Sequence, residues 1–391
     1  MLKDQSIICF APSDWWGMNP SCTTHIMKRL SVSNKILYIN PFSSDLLGVT
    51  KTKRKGFAQR LWRKLKSMTK WLRRPESNLY VFSPLFLPIQ GRKSIDMLNN
   101  RMLLWQIKLA CRLAGISKPI LWLENVRAAD LLDFFQESVK IYHVSDLFCH
   151  DGYVGNKNIQ QQRERQVATA SDVIICVSKE LYSMKEKDYK NVRYLPHGVD
   201  FELFQRAANE RIVPDEIQNI PHPIAGYFGT LTGSNDISLW EHCAEQLTDV
   251  SFVLAGRITG GDYSRLQAMK NVYLLGHVPY EKIPALCASF DVCMLNWKIS
   301  PWIRSCNPLK MFEYMASGKP IVSVAIQEAE QYNDIISIAE NQEEFCRLLG
   351  WELTHDTRQR IQKRMDVARQ YDWQNNLSVL SAIIESEIKD K

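Results

Sequence analysis

The stretch that decides the fold is Asn307-Pro308-Leu309-Lys310-Met311-Phe312-Glu313-Tyr314-Met315-Ala316-Ser317-Gly318-Lys319-Pro320-Ile321-Val322. Its start predicts a helix that Asn307 caps and in which Pro308 takes the first position. Gly318, which is followed by Lys319 and Pro320, ends this helix about three turns later. The apolar residues that come next predict a strand, so the stretch is a helix that leads directly into a strand.

The charged side chains of this helix suggest a phosphate site. Free backbone N–H groups and the helix dipole favour a pyrophosphate at the N-terminus, and Lys310 in the first turn adds a full positive charge. Glu313 lies one turn further on the same face and would accept both hydroxyls of a ribose attached to that pyrophosphate. The alternative is an ordinary amphipathic helix, in which Lys310 and Glu313 form a solvated pair.

The composition bounds the size and class of the protein. With 391 residues, 45% of them apolar, the chain is long enough for two domains with separate cores. It contains no apolar run long enough to span a bilayer and no signal-peptide pattern at its start, so we expect it in the cytoplasm. Its ten cysteines are scattered singly, which indicates neither a zinc site nor a disulfide framework.

Short apolar runs alternate with helical patterns along most of the chain. This alternation predicts parallel sheets covered by helices, in two doubly wound domains. The domains are predicted at residues 1–204 and 223–370, with a linker at 205–222 and a C-terminal helix at 371–391. Ligands bind beyond the carboxyl ends of parallel strands, so two facing domains would enclose a cleft. The predicted strands are 6–10, 35–39, 79–82, 120–123, 140–144, 172–177, 192–195, 224–228, 251–255, 272–275, 291–295 and 320–324.

Five pieces of the second half resemble, in their order, a glycosyltransferase of the GT-B fold, close to glycosyltransferase family 4 (group 1). The first domain also ends in Pro196-His197-Gly198-Val199-Asp200, which is similar to the family's Pro-Asn-Gly-Val-Asp. The resemblance covers roughly residues 140 to 325. The five pieces are Gly226-Tyr227-Phe228-Gly229-Thr230, Phe252-Val253-Leu254-Ala255-Gly256-Arg257, Asn271-Val272-Tyr273-Leu274-Leu275-Gly276-His277-Val278-Pro279, Ala288-Ser289-Phe290-Asp291-Val292 and the helix motif quoted above.

The resemblance implies a donor site for a nucleotide sugar, linked to UDP or GDP. It puts Lys310 on the pyrophosphate and Glu313 on the ribose. It puts Gly229 and Thr230 against the phosphates, and the backbone around His277 and Val278 on the base. Arg257 would be a second phosphate contact, although an arginine at a strand end is often only a surface residue.

Two departures limit this resemblance. Ser305 stands where many members of the family carry a glutamate that pairs with the ribose glutamate. Leu231-Thr232-Gly233-Ser234 stands where the family commonly has an arginine and a lysine. The motif therefore predicts donor binding and says nothing about whether the sugar's configuration is retained or inverted.

The first domain supplies candidates for a general base. Ile141-Tyr142-His143-Val144-Ser145-Asp146 resembles the segment that holds the proposed base of the inverting xanthan glucuronosyltransferase, also a GT-B enzyme. An inverting transfer requires one base near the acceptor hydroxyl, and Asp146 at a strand end suits this role. Alternatively, Asp146 caps the helix that follows. Glu124, at the end of the neighbouring strand, is the second candidate, and His143 is expected to be a core residue.

A loop with two adjacent tryptophans follows the first strand, in Ala11-Pro12-Ser13-Asp14-Trp15-Trp16-Gly17-Met18-Asn19-Pro20. Trp15 and Trp16 offer flat faces for stacking on a sugar, and the loop resembles an acceptor-facing element of GT-B proteins. Asp14 is a third carboxylate candidate. The alternative is that the tryptophans pack the loop onto the core.

Residues 51–74 contain eleven basic residues and no acidic one. Their pattern predicts a basic amphipathic helix, which suits the surface of an anionic membrane. Its apolar face comprises Phe57, Leu61, Leu65, Met68, Trp71 and Leu72, Arg63 is among the basic residues, and Lys64 lies near the edge of the apolar arc, where a lysine can snorkel. A helix packed on the sheet and a nucleic-acid patch are the competing interpretations, and the lack of acidic residues favours the membrane.

These features together predict a glycosyltransferase at the inner face of the cell membrane that elongates a lipid-linked saccharide of a surface polysaccharide. No convincing Asp-x-Asp motif is present, so we expect no metal and no other cofactor, and no nucleic-acid partner. A nucleotide-sugar epimerase of the same fold and a non-catalytic membrane scaffold are the alternatives.

Overall fold

Apolar strands and helices alternate along both halves of the chain and build two sheets. The computed structural model describes residues 1–17, 20–42, 71–86, 93–147, 157–210 and 212–389. The contacts divide the chain into unit 1, which comprises Met1–Leu195 and Leu377–Lys391, and unit 2, which comprises Pro196–Asn376. Each unit has a sheet and buried cores of its own.

In its described residues, unit 1 contains an eight-stranded sheet with the order β3-β4-β2-β1-β5-β6-β7-β8. Neighbouring strands are parallel except for β3 and β4, which are antiparallel. The strands are β1 (Ser6–Phe10), β2 (Lys35–Ile39), β3 (Leu72–Glu76), β4 (Leu79–Phe82), β5 (Ile120–Leu123), β6 (Val139–Val144), β7 (Val173–Cys176) and β8 (Val192–Tyr194). The helices are α1 (Cys22–Leu30), α2 (Lys93–Ala114), α3 (Lys157–Ala170) and α4 (Lys179–Lys185).

In its described residues, unit 2 contains a six-stranded parallel sheet with the order β11-β10-β9-β12-β13-β14. The strands are β9 (Ile224–Phe228), β10 (Ser251–Ala255), β11 (Val272–Gly276), β12 (Val292–Leu295), β13 (Ile321–Val324) and β14 (Ser337–Ala339). The helices are α5 (Phe201–Glu210), α6 (Ile237–Gln246), α7 (Ser264–Ala268), α8 (Ile283–Ala288), α9 (Pro301–Arg304), α10 (Leu309–Ala316), α11 (Gln327–Glu330), α12 (Gln342–His355), α13 (Arg358–Gln370) and α14 (Trp373–Lys389). Helix α14 begins in unit 2 and ends in unit 1.

The two sheets, which are parallel except at β3, confirm the predicted α/β fold with two doubly wound halves. All twelve predicted strands are present, and the strand ends differ from the prediction by no more than one residue. Beyond Gln342 the described chain is helical, with α13 ending at Gln370 and α14 beginning at Trp373.

The chain between the two sheets is more ordered than the sequence suggests. The contacts place the division after Leu195, whereas the first domain was predicted to end at residue 204. The predicted linker, 205–222, begins inside α5, because Phe204 and Ala207 on this helix are buried in unit 2. A short polar helix with one apolar stripe is easily mistaken for a linker.

The carboxyl end of the predicted basic helix is wrong, because the chain forms strand β3 there. Residues 51–70, which include Phe57, Leu61, Arg63, Lys64 and Leu65, lie outside the described residues. From Leu72 the chain is a strand that pairs with β4. The Trp71 ring packs edge-on against Phe82 at a centroid distance of 5.7 Å and is partly buried against the core of unit 1, and its contact with a membrane stays a prediction.

Candidate functional site

The strand order of unit 2 reverses between β9 and β12, and the predicted donor residues gather around this point. In sheets of this kind the loops at such a reversal form the ligand crevice. Gly229 and Thr230 follow β9 directly, Trp297 lies just beyond β12, and Arg257 lies just beyond β10. The sheet therefore brings together residues that are far apart in the sequence.

Two glycines allow the loop after β9 to lie against the loop after β10. Gly229 has a φ of +131° and donates its N–H to the Ala255 carbonyl at 2.9 Å. A Cβ on Gly256 would lie 1.8 Å from the Gly229 oxygen, so only glycine fits there. Gly229 therefore presents only backbone atoms to Lys310.

The Lys310 ammonium lies directly beside Gly229. A Cβ on Gly229 would approach Lys310 Nζ to 2.7 Å. Nζ donates a hydrogen bond to the Tyr227 hydroxyl at 2.9 Å. It also lies 4.2 Å from the centroid of the Tyr227 ring and 4.7 Å from that of Trp297. The structure thus brings together the glycine loop and the lysine that were predicted to bind phosphate.

Glu313 lies one turn further along α10 and is only 8% exposed. Its carboxylate accepts a hydrogen bond from the Tyr280 hydroxyl at 3.2 Å. Burial raises the pKa of the Glu313 carboxyl to about 7, and the Tyr280 hydrogen bond and the Lys310 charge oppose this rise only in part. Glu313 is thus not the solvated partner of Lys310 that an ordinary amphipathic helix would show.

The other predicted donor residues differ in exposure. The side chains of Thr230, Arg257 and His277 are exposed, and the Arg257 carbonyl accepts a hydrogen bond from the Leu231 N–H at 3.0 Å. Val278 is buried in the core of unit 2, so only its backbone is a candidate for contact with a base.

Helix α10 ends as predicted but begins differently. Its C-terminus is a Schellman motif in which Gly318 has a φ of +69°, and the Lys319 N–H reaches the Tyr314 carbonyl at 3.2 Å. Its N-cap is Pro308 and has no side-chain cap, so the predicted cap by Asn307 is wrong. Asn307 is instead buried, at 4% exposure.

Three residues of this site had no assigned role in the sequence interpretation: Tyr227, Tyr280 and Trp297. Tyr227 and Trp297 contact Lys310, and Tyr280 contacts Glu313. Each lies in, or shortly after, a different strand, so no periodicity within one segment connects it to α10. For Tyr227 and Trp297 the available signal was an aromatic residue near the end of each strand beside the reversal, whereas Tyr280 follows the edge strand β11.

In unit 1 the strand order reverses between β1 and β5, and Glu124 follows β5 at this point. Glu124 is 1% exposed and accepts hydrogen bonds from Thr23 Oγ1 at 2.5 Å and Trp122 Nε1 at 3.3 Å. His143, which is buried as predicted, places Nδ1 3.3 Å from Glu124 Oε2. Burial by itself raises the pKa of Glu124, but His143, Ser145 and Thr23 hold that pKa below its ordinary value.

Asp146 is more accessible than Glu124. It is partly exposed, and its Oδ1 accepts a hydrogen bond from the Leu147 N–H at 2.8 Å. The described part of the next helix begins at Lys157, and residues 148–156 between Asp146 and this helix lie outside the described residues.

The loop after β1 folds back on itself. Asp14 Oδ1 accepts a hydrogen bond from the Trp16 N–H at 2.9 Å, and the Trp15 N–H donates to Asn40 Oδ1 at 2.8 Å. The Trp15 ring packs edge-on against Tyr38 at 5.0 Å. Both tryptophans are half-buried, so each has a packing role and a remaining exposed surface.

Among the described residues, no group of three or more His, Cys, Asp or Glu side chains is arranged to hold a metal ion. The expectation that no metal takes part therefore stays a prediction.

Comparison with known proteins relates this chain to glycosyltransferases. Residues 238–382 match a protein family described as "Glycosyl transferase-like". The chain is 30% identical over 201 residues to the putative teichuronic acid biosynthesis glycosyltransferase TuaH of Bacillus subtilis (strain 168). That similarity covers 46% of this chain and 49% of the relative, so the chain matches about half the length of that protein.

Two solved structures share the fold over nearly all of both chains. Anabaena HepE, in complex with UDP and glucose, has a TM-score of 0.65 and 13% identity, and the match covers 98% of this chain and 99% of HepE. The sucrose-phosphate synthase of Thermosynechococcus elongatus has a TM-score of 0.71 and 11% identity, with complete coverage of both chains. The chain therefore has the GT-B fold, with two Rossmann-like sheets.

Proposed function

We propose that this protein is a glycosyltransferase that transfers a sugar from a nucleotide-sugar donor to a saccharide acceptor in the synthesis of a cell-surface polysaccharide. The observation that carries the proposal is the position of Lys310 Nζ beside Gly229, at the strand reversal of unit 2. A diphosphate there would contact an ammonium group and a glycine backbone, and Glu313 lies one turn away for the ribose. The resemblance to family 4 and the sequence similarity to TuaH support the same function.

The donor in this proposal is linked to UDP or GDP. The HepE structures that contain UDP or UDP-glucose support a uridine nucleotide by analogy of fold. No metal is assigned to the reaction. Lys310, Arg257 and the start of α10 would neutralise the diphosphate as it leaves.

Nucleotide binding tests this proposal directly. Wild-type protein should be stabilised against thermal unfolding by UDP or GDP, because a ligand that binds only the folded state raises its stability. Lys310→Ala and Glu313→Ala should each lose most of this stabilisation, whereas Lys319→Ala, on the chain just beyond α10, should keep it. If neither diphosphate shifts the unfolding temperature of the wild type, the proposed donor site is wrong.

The chemical step in this proposal is an inverting transfer with Asp146 as the general base. The base would take the proton of the acceptor hydroxyl while the nucleoside diphosphate leaves from the opposite face of the sugar. The partial exposure of Asp146 supports this role. Trp15 and Trp16 would contact the acceptor through their exposed surfaces, beside Asp14.

The proposed acceptor is lipid-linked, and the enzyme would act from the cytoplasmic face of the membrane as a peripheral protein. No helix in the described parts of the chain has the length and apolar content to cross a bilayer. The support for membrane binding is the basic composition of residues 51–70, which predicts attraction to anionic lipid.

Vesicle flotation tests the membrane proposal. The full chain should float with vesicles that contain phosphatidylglycerol, and Arg63→Glu with Lys64→Glu should weaken this binding. Arg347→Glu with Arg358→Glu makes the same charge change at exposed positions of unit 2 and should have little effect. Equal flotation of both double variants would contradict the proposal.

A further inference from the structure

The neighbours of the Lys310 ammonium are aromatic. Among the described residues, its hydrogen-bond and ring partners are Tyr227 and Trp297. No carboxylate in the described chain lies within ion-pair distance of Lys310 Nζ, and Glu313 acts on it only through a longer-range charge interaction. A lysine held by a carboxylate would have to give up that partner before it could bind a phosphate. A lysine held by ring faces keeps its full charge for the ligand.

Buried residues fix the position of Tyr227. Its hydroxyl accepts a second hydrogen bond from Asn235 Nδ2 at 3.1 Å, and Asn235 is fully buried. The same Nδ2 donates to the Asn296 carbonyl at 3.0 Å, just beyond β12. The Tyr227 ring packs edge-on against Trp240 at a centroid distance of 5.0 Å. A buried network thus holds the phenol oxygen, which in turn determines the position of the ammonium.

Trp297 contacts Lys310 and Tyr227 from the other side of the strand reversal. Its ring packs edge-on against Tyr227 at a centroid distance of 6.3 Å, so the two aromatic residues support each other as well as Lys310. Tyr227 belongs to β9, Trp297 follows β12, and Lys310 belongs to α10. Three separate elements are therefore needed to fix one ammonium group beside Gly229.

We propose that Tyr227 and Trp297 are positioning residues that hold the Lys310 ammonium beside Gly229 without neutralising it, so that the diphosphate of the donor becomes its counter-ion. This inference rests on the proposed donor site and assigns two residues to it. Neither aromatic residue has to touch the nucleotide. Their effect is on the diphosphate part of the binding energy, because only that part passes through Lys310.

The test compares a nucleoside diphosphate with its nucleoside. Dissociation constants of UDP and uridine, and of GDP and guanosine, are measured by calorimetry on the full chain, and their ratio reports the contribution of the diphosphate. In Tyr227→Phe the ring stays but the hydroxyl is lost, and we expect UDP or GDP to bind about tenfold more weakly while the nucleoside is unaffected. Trp297→Leu should reduce the preference for the diphosphate, which is the dissociation constant of the nucleoside divided by that of its diphosphate, about fivefold.

Two controls separate positioning from a general structural effect. Tyr332→Phe removes a hydroxyl that bonds the Tyr371 hydroxyl at 2.8 Å elsewhere in unit 2, and the ratio should not change. In a Lys310→Ala background, Tyr227→Phe should have no further effect on the ratio, since the lysine transmits it. A merely structural role would weaken diphosphate and nucleoside alike, in both backgrounds.

The outcomes distinguish this inference from the proposed function. If the wild type binds UDP or GDP more tightly than the nucleoside but Tyr227→Phe keeps the wild-type ratio, the positioning role is overturned and the donor site stands. An additional loss in the Lys310→Ala background would overturn it as well. If the wild type prefers neither diphosphate to its nucleoside, both proposals are wrong.

Discussion

At the scale of single residues, the buried carboxylate of Glu313 lowers the stability of the protein when it is charged. Its carboxyl is 8% exposed, and burial raises its pKa to about 7 from an ordinary value of 4.5. The folded state therefore holds this proton more tightly than the unfolded state between those two values. Stability is highest where Glu313 is protonated in both states, and it falls as the pH rises from about 4.5 to about 7. A bound ribose would give the carboxylate hydroxyl donors in place of the lost water.

We predict that Glu313→Gln stabilises the protein at high pH and weakens nucleotide binding. At pH 8 the charged carboxylate lowers the free energy of unfolding by at most about 3 kcal/mol, and the amide removes this penalty. At pH 5 the gain should be below about 1 kcal/mol, because the folded wild type is already protonated. Urea unfolding at both pH values measures the difference, and calorimetry with UDP or GDP should show affinity reduced about tenfold or more.

Glu330→Gln is the matched control, because Glu330 is an exposed glutamate of the same unit. It should leave both stability and nucleotide affinity unchanged within error. If Glu313→Gln were no more stable than the wild type at pH 8, the penalty assigned to burial of this carboxylate would be wrong.

The sequence revealed Lys310 and Glu313 but not the residues around them. Both charged residues lie on one helix, so a spacing of one turn places them on one face. Tyr227, Tyr280 and Trp297 come from three other segments, and their approach to α10 depends on the order of strands in the sheet. Strand order is a tertiary property that no local pattern encodes. The burial of Glu124 beside His143 was missed as well, although their strands were predicted to be neighbours, because strand pairing alone does not determine which side chains meet.

At the scale of elements, helix α10 is held in place at its end as well as along its apolar face. Arg364 of α13 is fully buried and donates to the Gly318 carbonyl from Nη2 at 2.9 Å and from Nε at 3.3 Å. It also pairs with Asp356. This guanidinium connects the Schellman turn after α10 to a second helix, which fixes the helix that carries Lys310.

We predict that Arg364→Leu destabilises the protein by about 3 to 5 kcal/mol, because it leaves the buried Gly318 carbonyl without its charged donor and, within the described residues, leaves Asp356 with only the Arg360 guanidinium at 3.8 Å. Arg358→Leu, at an exposed position of the same helix, should change stability by less than about 0.5 kcal/mol. Urea unfolding of the two variants measures the difference. Similar midpoints for both variants would show that the buried guanidinium does not support α10.

Elements with a strong apolar run were predictable, and those defined by pairing were not. The twelve predicted strands are apolar runs that are buried along most of their length, except for β8 and β11, which are only partly buried. Strand β3 contains two arginines, a proline and a glutamate, and it forms because β4 offers an edge for hydrogen bonds. A basic segment that continues into such a strand shows only helical periodicity in the sequence, so the predicted helix extended into residues 71–74.

At the scale of the whole molecule, the proposed chemistry is divided between the two units. Asp146 follows β6 in unit 1, whereas Lys310 and Glu313 lie on α10 in unit 2. In unit 2 the strand order reverses beside these residues, between β9 and β12, whereas in unit 1 it reverses between β1 and β5, one strand away from β6. The division between units was predictable from two successive series of strands. The exact boundary was not, because α5 joins unit 2 through only a few buried apolar residues.

This division predicts that donor binding and transfer can be separated by mutation. Asp146→Asn should leave the affinity for UDP or GDP unchanged, because the donor residues all lie in unit 2, but it should lower kcat about 10² to 10⁴-fold through loss of the general base. Lys310→Ala should lower both. Calorimetry gives the affinity, and release of nucleoside diphosphate with a panel of nucleotide sugars and lipid-linked saccharides gives kcat.

Asp188→Asn, which replaces an exposed carboxylate of unit 1, is the control and should behave as the wild type. If Asp146→Asn kept full turnover while folded Glu124→Gln lost it, the base would be the buried glutamate, and its contacts with Thr23 and His143 would have to open during catalysis.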